Sequence, residues 1–99
     1  METSLKKAVT EEKKLSEPEN FKVILLNDDY TSMNFVVDVI MLVFHKNAEE
    51  AEQLMLAVHN KGRAIIGVYA GDIAKTKVDQ VHSLAVRHDF PLQCIMERA

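Results

Sequence analysis

Three short apolar runs of the chain predict strands. Phe21 to Leu26 carries apolar residues at both alternating positions, which predicts a central strand of a small sheet. Leu92 to Met96 follows a proline and is predicted to form the last strand. Between them Arg63 to Tyr69 is predicted to be the second strand, and one of its faces is expected to carry Ala64, Ile66 and Val68.

Two helices are predicted between the first and second strands. Met33 to Lys46 contains β-branched residues that favour a strand, but its length and the cap candidates Thr31 and Ser32 favour a helix, which is our prediction. The next helix has Asn47 as its N-cap candidate and ends at Gly62. Its buried face is expected to carry Ala51, Leu54, Met55 and Val58.

A third helix, Asp72 to His88, completes the order strand, helix, helix, strand, helix, strand. Its inward face is expected to carry Ala74, Val78, Val81 and Ala85. With so few strands, one sheet covered by helices on one face is the economical arrangement. The 99 residues suffice for one domain, so we predict a flexible, Lys- and Glu-rich N-terminal tail at residues 1–19 and a folded core at residues 20–99.

Composition narrows the classes of function. The chain is 47% hydrophobic and 27% charged with a net charge of −3, which is typical of a globular domain and gives no basic patch for nucleic acid. The longest apolar stretch, Phe35 to Phe44, is too short to span a bilayer and contains Asp38. The single cysteine, Cys94, excludes an internal disulfide, is expected to be a buried inert thiol and fits a reducing, cytoplasmic setting.

Two features carry the candidate chemistry. The first is the acidic turn Asn27-Asp28-Asp29, which follows directly after an apolar strand and would serve equally well as a turn cap. The second is His59 near a helix end, where a structural histidine is the usual case. Neither forms a recognisable metal-ligand or nucleophile motif, and no phosphate-binding loop is present. We therefore predict a binding module without a cofactor, and not an enzyme.

The motifs resemble those of a known family. The run Phe21 to Thr31, containing NDDYT, looks like the first signature of the ClpS adaptors, and Gln53 to His59, containing LMLAVH, looks like the second. Ala74 to Val78 and Phe90 to Leu92 also match, so the resemblance covers residues 20–98. It implies an α/β (α+β) fold with a three-stranded antiparallel sheet and three helices in the order βααβαβ. It also implies an N-end-rule adaptor that binds substrates beginning with Leu, Phe, Tyr or Trp.

The resemblance also implies a role for particular residues. The substrate's α-amino group would be bound by Asn27, Asp29 and His59, with Asp28 nearby. Its first side chain would enter a pocket formed by Leu26, Thr31, Met33, Val36, Met55, Val58 and Leu92. Asp72 and Lys77 would contact the N-terminal domain of a Clp-family AAA+ unfoldase, usually ClpA, which feeds the ClpP protease.

The chain departs from the family pattern at four positions. They are Ser32 for a usual proline, Asn34 for a usual acid, Ala70 for a common capping hydroxyl and Asp72 for a usual glutamate. Two other functions stay open: an assembly domain in which the turn and His59 are only caps, and a small hydrolase or metal enzyme. The remaining histidines, His45, His82 and His88, are expected to be solvated or structural.

Overall fold

The computed structural model describes residues 19–99. This part of the chain forms six elements in the predicted order: β1 (Asn20–Leu26), α1 (Met33–Phe44), α2 (Ala48–Lys61), β2 (Arg63–Ala70), α3 (Gly71–Arg87) and β3 (Gln93–Arg98). The predicted tail at residues 1–19 lies outside the described residues, apart from Glu19.

The three strands form one antiparallel sheet in the order β2-β1-β3. Strand β1 therefore lies in the centre, as the apolar residues at both of its alternating positions predicted. Val23, Ile24 and Leu25 are each at most 1% exposed. Because β1 is hydrogen-bonded along both edges, it fixes the position of the turn that follows its last residue, Leu26.

Strand β2 contains an irregularity that the sequence did not reveal. Its pairing with β1 passes from Ile65 to Gly67 and skips Ile66. An extra residue in one strand shifts the alternation of its side chains. Ile66 is 4% exposed, whereas Val68, which we predicted on the same face, is 52% exposed, and Tyr69 packs against the core instead. The prediction for Val68 is therefore wrong.

The helix ends follow the cap residues in the sequence. The hydroxyl of Ser32 accepts a hydrogen bond from the Phe35 N–H at 3.1 Å and begins α1. The side-chain oxygen of Asn47 accepts one from the Glu50 N–H at 2.8 Å and begins α2. Gly62 ends α2 with φ of 87°, a left-handed conformation that glycine adopts without strain. Helix α1 ends two residues earlier than predicted.

All three helices pack on the sheet face that carries Val23 and Leu25. The predicted inward residues of α2 and α3 are buried or partly buried, namely Ala51, Leu54, Met55, Val58, Ala74, Val78, Val81 and Ala85. Cys94 is 2% exposed, which confirms its predicted burial, and this burial raises the pKa of its thiol to about 12. Within residues 19–99, every helix is too short or too polar to cross a bilayer.

Candidate functional site

The turn after β1 is organised by Asp28. One of its carboxylate oxygens accepts hydrogen bonds from the N–H groups of Tyr30, at 2.8 Å, and Thr31, at 2.6 Å. The other accepts one from the Thr31 hydroxyl at 2.7 Å. Desolvation by partial burial alone would raise the pKa of Asp28, but these hydrogen bonds outweigh it and hold the pKa below its usual value. Asp28 is therefore ionised at neutral pH and directed into its own loop.

A backbone hydrogen bond joins this turn to the end of α2. The N–H of Asn27 donates to the carbonyl oxygen of Gly62 at 2.9 Å, just beyond the last turn of the helix. His59 lies in that last turn, so the bond brings it beside the acidic turn although 30 residues separate Asp29 from His59 in the chain. The Gly62 carbonyl is a structural part of the site that sequence reasoning missed, because a backbone contact leaves no side-chain pattern.

A cavity of about 310 Å³ lies between the turn, α1 and α2. Nine of the eleven residues that the resemblance assigned to the amino-group site and the side-chain pocket line it: Asn27, Asp28, Asp29, Thr31, Met33, Val36, Met55, Val58 and His59. We call it the turn cavity. It combines a polar rim contributed by the turn and α2 with an apolar interior contributed by α1 and α2.

The polar rim holds three acceptor-bearing side chains. Asn27, Asp29 and His59 are exposed, and among residues 19–99 none of their side chains has a hydrogen-bond or ion-pair partner. An amide oxygen, a carboxylate and a neutral imidazole nitrogen can all accept hydrogen bonds, and the carboxylate adds one negative charge. This arrangement suits a small cation with several N–H donors, since such bonds are charge-assisted.

The apolar interior is formed mainly by side chains that belong to the core. Val36, Met55 and Val58 are 6%, 8% and 2% exposed and present small patches of core surface at the bottom of the cavity. Met33, in the first turn of α1, is 45% exposed and lies at the cavity edge. The cavity therefore exposes apolar surface of α1 and α2 beside its polar rim.

Two predicted pocket residues are not among those lining the turn cavity. Leu26 is partly buried at the end of β1, and Leu92 is 2% exposed and packs in the main core. Leu92 is therefore a core residue that does not line the turn cavity. A leucine can belong either to the core or to the lining of a pocket, so its residue type alone could not distinguish these two positions.

The residues predicted to meet an unfoldase lie on α3. Asp72 is exposed in its first turn, and its carboxylate accepts the N–H of Ile73 at 2.9 Å. The ammonium group of Lys77 donates to the carbonyl oxygen of Val43, at the end of α1, at 2.8 Å and lies 5.3 Å from the centre of the Tyr69 ring. Lys77 therefore links α3 to α1, a structural role that was not predicted from its residue type.

The described residues argue against a metal centre. Within residues 19–99 no three His, Cys, Asp or Glu side chains are grouped so that they could hold an ion. In the turn itself, the carboxylate of Asp28 is occupied by the loop, which leaves Asp29 and His59 as the free acidic and imidazole groups. Two such groups fall short of the four ligands usual for zinc.

Comparisons with known proteins agree on one family. Residues 16–95 match the family model described as ATP-dependent Clp protease adaptor protein ClpS. The ATP-dependent Clp protease adapter protein ClpS of Wolinella succinogenes is 53% identical over 90% of this chain and 87% of its own. The protein of the same name from Nitrosospira multiformis is 55% identical over 85% of this chain and 82% of its own.

A solved structure has the same fold. It is ClpS2 of Agrobacterium tumefaciens bound to L-phenylalaninamide, which superimposes with a TM-score of 0.81 and is 36% identical. The similarity covers 84% of this chain and 100% of the other. This match confirms the predicted arrangement of three helices on a three-stranded antiparallel sheet.

Proposed function

Since the chain belongs to the ClpS family of ATP-dependent Clp protease adaptors, we propose that its turn cavity binds the amino terminus of proteins destined for degradation. It is an adaptor and not an enzyme. The substrates are proteins with a free α-amino group and Leu, Phe, Tyr or Trp as the first residue, and the adaptor delivers them to a Clp AAA+ unfoldase in the cytoplasm. The observation that carries this proposal is a cavity of about 310 Å³ in which an apolar interior lies beside three acceptor side chains that have no partner among residues 19–99.

The chemistry of an amino terminus matches the polar rim. A free α-ammonium has three N–H donors and one positive charge, and Asn27, Asp29 and His59 offer three acceptors and one negative charge. An acetylated terminus loses the charge and most of the donors, so it should be rejected. The Agrobacterium tumefaciens ClpS2 structure contains L-phenylalaninamide, a ligand with a free α-amino group and a phenylalanine side chain.

The two aspartates of the turn have different roles in this proposal. All three hydrogen bonds of Asp28 are made within its own loop, so it positions the turn. Asp29 has no partner among the described residues and is the direct acceptor of the ammonium group. Asp28 still contributes its negative charge to the local field, since it lines the same cavity.

Both parts of the ligand are required for useful affinity. Each charge-assisted hydrogen bond contributes roughly 1.5–3 kcal/mol, and burying a Leu or Phe side chain adds about 1.5–3 kcal/mol. Micromolar binding requires about −8 kcal/mol, after the entropy of association has been offset. Neither the ammonium nor the side chain reaches that value alone, so the cavity selects for both together.

Met33 is proposed to select the shape of the first side chain. It lies at the cavity edge and is half-exposed, so its thioether can contact the first carbons of an entering side chain. A β-branched residue such as Val or Ile carries a second heavy atom at this point, which would collide with Met33. Replacing Met33 by Ala should therefore allow Val- and Ile-initiated peptides to bind, while Phe-initiated peptides still bind.

Delivery is proposed to involve the N-terminal end of α3. Asp72 is exposed there and can reach the N-terminal domain of a ClpA-like unfoldase. A fluorescence anisotropy assay with that domain should show weaker binding by Asp72→Ala and unchanged peptide binding. Lys77→Met is the accompanying variant, and its thermal stability must be measured too because Lys77 also binds the Val43 carbonyl.

The alternative function, an assembly domain, predicts a different role for the same residues. If the turn and His59 served only as caps, their side chains would bond to neighbouring backbone groups. Asp28 does so, but Asn27, Asp29 and His59 have no partner among residues 19–99. These three side chains favour a binding site over a purely structural turn.

A pair of titrations tests the proposal. A fluorescent peptide beginning with Phe should bind to the protein, and its acetylated twin should not. Asp29→Ala and His59→Ala should each weaken binding of the Phe-initiated peptide at least about tenfold, while the circular dichroism spectrum and melting temperature stay at their original values. Equal binding of the two peptides, or no binding of either, would refute the proposed function. Loss of the fold in both variants would favour the assembly domain.

A further inference from the structure

Methionines form part of the wall of the turn cavity. The described part of the chain contains four methionines, and two of them, Met33 and Met55, line this cavity. The two differ in exposure, because Met55 is 8% exposed at the bottom of the cavity whereas Met33 is 45% exposed at its edge. Met33 therefore belongs to the cavity and is at the same time open to small molecules in the solvent.

A methionine thioether that is open to solvent can be oxidised by a peroxide. The sulfur atom forms a bond to one oxygen of hydrogen peroxide while the O–O bond breaks, so the products are methionine sulfoxide and water. The sulfur loses two electrons, and the peroxide gains them. This reaction converts a flexible apolar side chain into a polar and chiral one, and in a cavity lined by methionine it changes the surface that a ligand meets.

We propose that Met33 is an oxidation site through which a peroxide lowers the affinity of the turn cavity for an apolar first residue. Among residues 19–99, Met33 is the most exposed methionine, since Met41 is 36% exposed, Met96 is partly buried and Met55 is buried. The residue that a peroxide reaches most easily is thus also one that lines the peptide site. This inference rests on the proposed function, because it concerns the same cavity.

A sulfoxide oxygen on Met33 lacks a hydrogen-bond donor once a peptide is bound. The side chains of the apolar interior, Val36, Met55 and Val58, carry no N–H or O–H group. The Thr31 hydroxyl already donates to Asp28 at 2.7 Å, and the rim side chains are engaged by the α-ammonium group. Water solvates the oxygen in the free protein, but an entering Phe or Leu side chain displaces that water. An acceptor covered without a partner disfavours the bound state, so the affinity should fall about tenfold.

The modification is reversible, and the fold tolerates it. Met33 lies in the first turn of α1 and is not part of the hydrophobic core, so a polar sulfoxide there stays in contact with water when no peptide is bound. Methionine sulfoxide reductases return the sulfoxide to the thioether, and a separate reductase acts on each of the two sulfoxide epimers. The oxygen leaves as water, and the two electrons come from a pair of thiols that becomes a disulfide. Peptide binding can therefore be switched off and on at one side chain.

Titrations of a Phe-initiated peptide before and after treatment with hydrogen peroxide test the inference, and mass spectrometry of proteolytic fragments follows each methionine. Met33 should gain one oxygen before Met55 does, and the dissociation constant of the original chain should then rise about tenfold. Met33→Leu, compared with its own untreated sample, should show no rise. Met41→Leu is the matched control, because Met41 is the next most exposed methionine of the described residues but does not line the turn cavity. It should bind like the original chain before treatment and lose affinity like it afterwards.

Reduction of the oxidised chain completes the test. Treatment with both reductases should restore the original dissociation constant, and the circular dichroism spectrum should stay unchanged at every stage, since Met33 lies outside the core. Unchanged affinity when Met33 is fully oxidised, or an equal loss of affinity in Met33→Leu, would overturn this inference alone. Absence of peptide binding by the untreated chain would refute the proposed function and this inference with it.

Discussion

Replacement of the neighbouring acids Asp28 and Asp29 should affect two different properties of the protein. Asp28→Ala removes the acceptor of three hydrogen bonds that fix the turn, at distances from 2.6 to 2.8 Å. Asp29→Ala removes a side chain that has no partner in the described part of the chain. We therefore predict that Asp28→Ala mainly lowers stability and that Asp29→Ala mainly lowers peptide affinity.

The size of each effect follows from these contacts. The donors released by Asp28→Ala lie near the surface and can bond to water, so the loss should be about 1–2 kcal/mol, similar to the loss of a helix cap. This corresponds to a fall in melting temperature of about 4–8 °C per kcal/mol. Asp29→Ala should change stability by less than about 0.5 kcal/mol. Its lost charge-assisted bond should weaken peptide binding about 10- to 150-fold.

The assay combines thermal unfolding with a titration of a Phe-initiated peptide for each variant. Asp28→Ala should weaken binding by only about fivefold, because the turn remains able to adopt the bound conformation at a cost of about 1 kcal/mol. Asp28→Asn is the matched variant, since it keeps the size of the side chain and one oxygen acceptor for the Tyr30 and Thr31 N–H groups but removes the charge and the second acceptor. If Asp29→Ala destabilises the fold as much as Asp28→Ala does, or if peptide affinity falls more for Asp28→Ala, the assignment of roles is wrong.

The difference in stability between the original chain and Asp28→Asn should depend on pH with a definite sign. The pKa of Asp28 in the folded chain lies below its usual value, so ionised Asp28 stabilises the fold. That contribution is fully present above the unfolded pKa of about 4 and is lost as the pH falls through the lower folded pKa. The stability difference between the original chain and Asp28→Asn should therefore be constant near neutral pH and shrink in acid. A difference that grows in acid would contradict the hydrogen-bonded carboxylate.

Three further predictions concern stability and are checked by thermal or urea unfolding. Gly67→Ala should destabilise the fold by about 1–3 kcal/mol, because a Cβ there would lie 2.6 Å from a ring carbon of Tyr69 and displace it. His82→Ala should cost about 1 kcal/mol, because the imidazole accepts the Cys94 N–H at 3.1 Å on edge strand β3, and peptide affinity should not change. Ala70→Ser should stabilise by about 1 kcal/mol, because Ala70 is the N-cap of α3, is extended there and offers no side-chain acceptor. An unchanged melting temperature in any of these variants would count against the corresponding contact.

The elements of the fold were predictable where the signal is local. Ser32, Asn47 and Gly62 each cap a helix through bonds made within a few residues, and such bonds depend on residue type alone. Val68 was misplaced because the irregularity at Ile66 arises from the pairing of β2 with β1. A pairing defect depends on two segments about 40 residues apart, and the alternation within one of them does not reveal it.

Both the grouping of the candidate site residues and the separate roles of the two aspartates were expected from the resemblance, and not from residue type. The resemblance named Asp28, Asp29 and His59 together, and the structure places all three around one cavity. Residue type alone made Asp28 and Asp29 equivalent. The hydrogen bonds of the loop give a physical basis for the difference, because the Asp28 carboxylate accepts bonds from its own loop whereas Asp29 has no side-chain partner among residues 19–99.

In the proposed site, the groups that would bind an amino terminus are different from the groups that stabilise the fold. The rim acceptors are exposed and have no side-chain partner among residues 19–99, whereas the turn that carries Asn27 and Asp29 is fixed by Asp28 and by the bond from Asn27 to Gly62. Because the turn is already ordered, a bound amino terminus does not have to offset the entropy of ordering it. The same separation means that rim residues can be exchanged with little effect on stability, so changes there can alter which termini are bound while the sheet and helices stay as they are.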